Sequence, residues 1–157
     1  MKTIGYLLVA VVVVAGIYLV LLSVQSRRIP PTVGLSGGHL RPCPATPNCV
    51  SSQTQNESAH VRPLEYSGSP EVAWRKLQHT VQHLGGRVVT LQKNYLHATF
   101  VTSLFRFVDD VEFLLDEQAG VIQVKSSSRV GRSDLGTNRK RIETIRTSYN
   151  GVTEQKE

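Results

Sequence analysis

Two charge blocks stand close together in the second half of the chain. Residues 109–117 carry five acids (Asp109, Asp110, Glu112, Asp116 and Glu117) and no base. Residues 125–146 carry seven bases (Lys125, Arg129, Arg132, Arg139, Lys140, Arg141 and Arg146) against Asp134 and Glu143. Carboxylates grouped this way can bind a metal or act as acid and base, and strand alternation puts Asp110 and Glu112 on one face with Asp109 on the other. The basic block contains Ser126-Ser-Ser-Arg-Val-Gly-Arg-Ser-Asp-Leu-Gly-Thr-Asn138, a loop leading from a strand into a helix. Backbone N–H groups at such a helix start can hold an anion, assisted by Arg129, Arg132 and Arg139. The Gly-x4-Gly-Lys-Ser/Thr spacing of a nucleotide loop is missing. The candidate ligand-binding set is Arg106, Asp110, Glu112, Ser126, Ser128, Arg129, Arg132, Asp134, Asn138 and Arg139. Its competitor is plain ion pairing on a sheet's open face, where an exposed pair contributes about 0.2–1 kcal/mol.

Catalysis is the alternative use of the same residues. A serine from 126–128 with His97 and an acid would form a hydrolase triad, although nothing in the spacing requires one. His79 and His83 are four apart but fall opposite the apolar stripe of their helix, which reads as solvated histidines. No metal site and no cofactor are expected. The pI of about 9.6 is the sole hint of nucleic acid, since aromatics are only 6% and no binding motif is present. No nucleic-acid partner is expected.

The elements that must position these residues follow from periodicity. Ser69 caps a helix, Pro70 fits its first turn, and Glu71 suits the positive end of its dipole. Trp74, Leu77, Val81 and Leu84 give that helix one apolar face before Gly85-Gly86 ends it. Strand patterns then cover Arg87–Gln92, Tyr95–Thr102, Phe105–Asp116 and Val121–Arg129, with short connections that favour an antiparallel meander. Phe105, Phe107, Val111, Phe113 and Leu115 would share one face of the third strand. A last helix, about Asn138 to Tyr149, aligns Ile142, Ile145 and Tyr149. The expected fold is α+β: a two-layer sandwich of about four antiparallel strands with two helices on the apolar face, plus one N-terminal transmembrane helix.

That N-terminal segment separates the composition into two parts. From Ile4 to Val24 only Gly5, Gly16 and Ser23 fall outside the hydrophobic class, and no residue is charged. At 1.5 Å per residue it spans about 32 Å, enough for a hydrocarbon core of about 30 Å. Without residues 1–24 the net charge falls only from +6 to +5, because Lys2 is their one charged residue. An uncleaved anchor is favoured over a cleaved secretory signal, whose apolar core usually runs about 7–15 residues. Charge orients the segment poorly: Lys2 and the amine precede it, while Arg27 and Arg28 follow it. Cys43 and Cys49 lie in a short loop with three prolines, and such a pair suits a disulfide in an oxidising compartment. Two reduced thiols are the competing reading, and a zinc site would need two more ligands, with His39 the one nearby candidate. The expectation is a single-pass membrane protein with a periplasmic or otherwise extracytoplasmic domain. Its parts are an anchor (1–26), a flexible linker (27–40), a soluble domain (41–149) and a tail (150–157).

Four ordered motifs carry a resemblance: Pro44-Ala-Thr-Pro-Asn-Cys-Val-Ser-Ser52, Tyr95-Leu-His-Ala98, Arg106-Phe-Val-Asp-Asp-Val-Glu-Phe113 and Ser126 to Arg139. Over Arg41–Arg146 the chain resembles the bacterial and plastid family called domain of unknown function 1499. The resemblance implies a small exported or membrane-associated domain and assigns no catalytic role to any residue. The expected role is non-catalytic binding of an anionic small molecule, a lipid headgroup or an envelope protein, with the membrane as a further partner through the N-terminal helix.

Overall fold

The computed structural model describes residues 2–151. Its elements are α1 (Lys2–Gln25), β1 (Leu35–Ser36), β2 (His39–Leu40), β3 (Cys49–Ser51), β4 (Leu64–Glu65), α2 (Pro70–His83), β5 (Arg87–Leu91), β6 (Tyr95–Val101), β7 (Val108–Asp116), β8 (Val121–Ser128) and α3 (Thr137–Gly151). The part of the tail beyond Gly151 lies outside the described residues.

Local chemistry sets the helix ends. The Ser69 hydroxyl accepts from Val72 N at the start of α2, and Gly85, at φ 84°, turns the chain after its last turn. A left-handed backbone of this kind favours glycine. Gly86 serves a different need: a Cβ there would lie 2.7 Å from both Phe100 Cζ and Val81 Cγ1. The missing side chain lets α2 close onto the sheet.

The expected meander β5–β8 is present, and the sheet order is β3-β8-β7-β6-β5, all antiparallel, with β4 also paired to β8. The sheet therefore has six strands rather than about four, and β1 and β2 form a separate two-stranded ribbon. Elements of two or three residues are too short to carry an alternation, and β8 imposes their register (Cys49↔Ser127, Leu64↔Ile122). The third meander strand also begins later than its pattern implied. Arg106 has φ 58°, and two bonds close a loop before Val108: Thr102 N donates to Phe107 O, and Phe107 N donates to the Thr102 hydroxyl. Phe105 is accordingly 42% exposed instead of joining the core.

One sheet face carries both helices, as the stripes predict. Trp74, Leu77 and Val81 of α2 and Ile142, Ile145 and Tyr149 of α3 pack on Val111, Phe113, Ile122 and Val124. Full burial of each such side chain contributes about 1.5–3 kcal/mol. The other face is not open. The segment expected as a flexible linker (27–40) lies along it as a strap, following fully buried Ser26 of the expected anchor and ending at buried Leu40, which packs with Tyr95 and Leu114. Gly86→Ala should lower stability by about 1–3 kcal/mol, the usual cost of overpacking, as read from thermal unfolding of the detergent-solubilised chain.

Candidate functional site

Alternation and register divide the predicted residues between the two sheet faces. On the strap face, Glu112 sits directly across from Lys125, with Tyr95 and His97 on the neighbouring strand. Lys125 Nζ donates to Glu112 Oε2 at 2.8 Å and to the strap carbonyl of Thr32 at 2.5 Å. Glu112 Oε1 accepts from Gly34 N at 2.6 Å and from the Tyr95 hydroxyl at 2.7 Å. Burial and the adjacent Glu112 carboxylate push the Tyr95 hydroxyl well above its ordinary range, so it stays protonated as a donor.

Asp110 anchors a second group on the same face. The Arg129 guanidinium grips both of its oxygens, at 2.6 and 2.8 Å, and His97 Nε2 meets Oδ1 at 2.7 Å. Burial alone would raise the Asp110 carboxyl, but the hydrogen bonds from His97 and Arg129 outweigh it and hold the carboxyl below its ordinary value of 3.8. Arg129 Nη1 also donates to the carbonyls of Ser26 and Arg27, at 3.1 Å each. Those carbonyls end the turn that follows α1, where the helix dipole is negative and a cation is stabilising. One arginine thus joins the apolar helix to the sheet.

Ser126, Ser128 and Asn138 lie on the opposite, helix-bearing face. Ser126 Oγ donates to Asn138 Oδ1 at 2.6 Å, and Asn138 Nδ2 donates to Ser128 Oγ and to Asn48 O, both at 3.0 Å. Arg141 crosses this cluster to reach Asn138 Oδ1 and Asp109. The sheet therefore separates Ser126 and Ser128 from His97; Ser127, across from Asp110, shares the face of His97, but among the described residues no hydrogen bond joins a serine of 126–128 to His97. The amides expected to receive an anion are taken by the chain itself: Asp134 accepts from Gly136 N at 3.1 Å and from Asn138 N at 2.8 Å. Arg139 donates to the carbonyls of Ser58 and His60, while Arg106 and Arg132 are exposed in loops. The ten residues do not meet in one pocket.

Tyr95, Arg141 and Asn48 complete these networks and were not among the predicted residues. Tyr95 was reachable, because it lies two residues before His97 on a strand paired with the acidic one. Asn48 carried no signal beyond its place beside Cys49. His79 and His83 are exposed and stacked with ring centroids 6.2 Å apart, away from the core as their helix position implied.

The disulfide between Cys43 and Cys49 forms one wall of a groove of about 480 Å³. Thr46, Thr54, Asn56, Ser58 and Ser133 line it together with Ala45 and Val50. Its lining is mixed, and of the candidate residues it receives Asp134 and Arg139. A second cavity, of about 360 Å³, joins Leu22 and Gln25 of α1 to Asn48, Ser128 and Arg129.

Fold and site together define a small α+β domain that buries Asp109, Asp110, Glu112 and Lys125, carried behind an apolar helix. The family described as "Protein of unknown function (DUF1499)" matches residues 39–148, and the chain belongs to it. No curated protein and no solved structure matched the chain.

Removing one partner of a buried ion pair leaves an uncompensated charge. Lys125→Met should therefore cost about 3–5 kcal/mol, with the double variant Glu112→Leu/Lys125→Met recovering most of that loss in denaturant unfolding. Asp110 supplies a pH test. Its folded value is depressed, so its contribution is fully present above 3.8 and is lost as pH falls through the folded value. Acid unfolding should show that loss, and Asp110→Asn should remove this part of the pH slope.

Proposed function

We propose that the protein is a membrane-anchored, extracytoplasmic, non-catalytic binding module whose groove beside the disulfide takes a small anionic ligand. The observation that carries the reading is the internal pairing of the acidic strand. Asp109 meets Arg141, Asp110 meets Arg129, and Glu112 meets Lys125, so each of these three buried carboxylates already has a cation of its own fold. A hydrolytic site needs a carboxylate or histidine poised towards substrate, and these groups are committed to one another. The groove offers what selective binding needs instead: hydroxyls and an amide around a concave surface, with the Arg139 guanidinium at its edge. The disulfide supports an oxidising compartment. α1, with a mean hydropathy of 3.0 over its most apolar window and no buried residue, supports an anchor.

The test is mass spectrometry of small molecules that co-purify with the detergent-extracted chain, compared with Ala45→Trp. Ala45 is exposed and lines the groove, so tryptophan should fill it without entering the core. A bound anionic species lost from the variant at unchanged melting temperature is expected. Equal retention by both proteins, or a lipid or envelope protein in its place, would overturn the groove assignment. For topology, a C-terminal alkaline phosphatase fusion should be active and a reporter that folds only in the cytoplasm silent.

A further inference from the structure

We infer that the end of the domain beside α1 is a bilayer-contacting surface, in which Leu104 and Phe105 enter the interface while Arg27, Arg28 and Arg106 hold lipid phosphates. The inference rests on reading α1 as an anchor and is independent of the groove. The orientation comes from hydrogen bonds that cross from α1 to the sheet. The Ser26 hydroxyl accepts from Val108 N at 3.1 Å, Ser23 Oγ approaches Arg106 O at 3.5 Å, and Arg129 takes the carbonyls of Ser26 and Arg27. These contacts put the start of β7, and the loop of residues 102–107 before it, against the last turn of the apolar helix. Leu22 and Ser23 are half-buried there, whereas most of the helix before them is exposed.

The surface that adjoins this junction has the composition of a membrane interface. Leu104 is 78% exposed and Phe105 is 42% exposed, at the tip of a loop that the domain itself does not cover. An aromatic ring and an aliphatic side chain beside an apolar span are favoured at the boundary between headgroups and acyl chains. Arg27, Arg28 and Arg106 are exposed around them, and among the described residues their guanidinium groups have no hydrogen-bond or ion-pair partner. The complementary partner is an anionic bilayer, since guanidinium groups near its surface are drawn to lipid phosphates. At the other end of the strand, β7 closes on Asp116 and the turn after it opens with Glu117, two acids in place of the arginines. The nine residues of β7 separate the two ends, about 26 Å of extended chain for eight steps of roughly 3.3 Å.

The full chain can be reconstituted in nanodiscs of phosphatidylcholine alone or mixed with phosphatidylglycerol. Both native cysteines are in the disulfide, so Leu104→Cys or Gln118→Cys would provide the one free thiol for an environment-sensitive dye. We expect blue-shifted emission, quenched by headgroup-labelled nitroxide lipid, for the dye at 104 and not at 118. With anionic lipid, the docked-to-undocked ratio should fall about fivefold for each of Arg27, Arg28 and Arg106 changed to Gln. Water-like, unquenched emission at 104 would overturn the inference, and quenching that ignores all three arginines would overturn its lipid-phosphate part. Alkaline carbonate extraction separates the two levels. A chain released by carbonate refutes the anchor and the docking together, whereas a retained chain with an unquenched label refutes docking alone.

Discussion

Arg129 is the constraint on which the rest of the arrangement depends. Its guanidinium must satisfy a fully buried carboxylate, and the planar fork does so with two parallel bonds to Asp110. The remaining donor then points to where the chain leaves α1 and caps the carbonyls of Ser26 and Arg27. A lysine could supply the charge but not this geometry, because an ammonium group lacks the rigid fork. With the cap in place, the following residues start at a fixed point and run along the sheet. Glu112 and Lys125 receive them at Gly34 and Thr32. The strap in turn buries both charges, so ion pair and strap require one another.

That mutual requirement changes what the charge blocks mean. On an open face the pairs would be solvent-screened and worth little. Beneath the strap they are desolvated, and their value lies in being complete: removing one partner is costly, whereas an apolar replacement of both need not be. The polar cluster under the helices obeys the same rule. Asn138 uses its amide to join β8, the residue before Cys49 and, through Arg141, the acid Asp109. Asp134 supplies the anion that the start of α3 attracts. A loop that resembles an anion site by composition is thus already supplied with an anion from its own chain.

How much was legible in the sequence differs by element. The ends and inner face of α2 were readable because Ser69, Pro70 and the Trp74–Leu84 stripe are local signals. The strands of the meander were readable from alternation, and so was the separation of Asp109 from Asp110 and Glu112. The strap was not readable, because proline, glycine and serine without a period look the same in a mobile linker and in an ordered one. Its order is imposed from residues 78 and 93 positions away, through Glu112 and Lys125. The short edge strands failed for a related reason, since β8 and not their own pattern sets their register. Asp134 was harder to read. A capping side chain usually accepts from an amide two or three residues on, whereas Asp134 reaches Asn138 N four residues away, and the arginines around it drew attention to an outside anion instead.

The same coupling bears on the near-tie in charge across α1. Counted as sequence, Arg27 and Arg28 oppose an exported domain because they follow the span. In the fold they occupy a turn whose backbone is tied down: the Arg27 carbonyl is held by Arg129, and the segment continues into the strap. Their position is therefore set by the need to carry the chain from helix to sheet, and their side chains are left facing outward beside Arg106. The positive-inside rule describes a bias in flanking loops that are free to take either side, whereas this flank is part of a folded domain stapled by a disulfide. A disulfide is favoured in an oxidising environment, whereas two flanking arginines impose only a bias. The proposed extracytoplasmic side gives the disulfide the greater weight, and on the inferred docking the arginines meet phosphates of the adjoining leaflet.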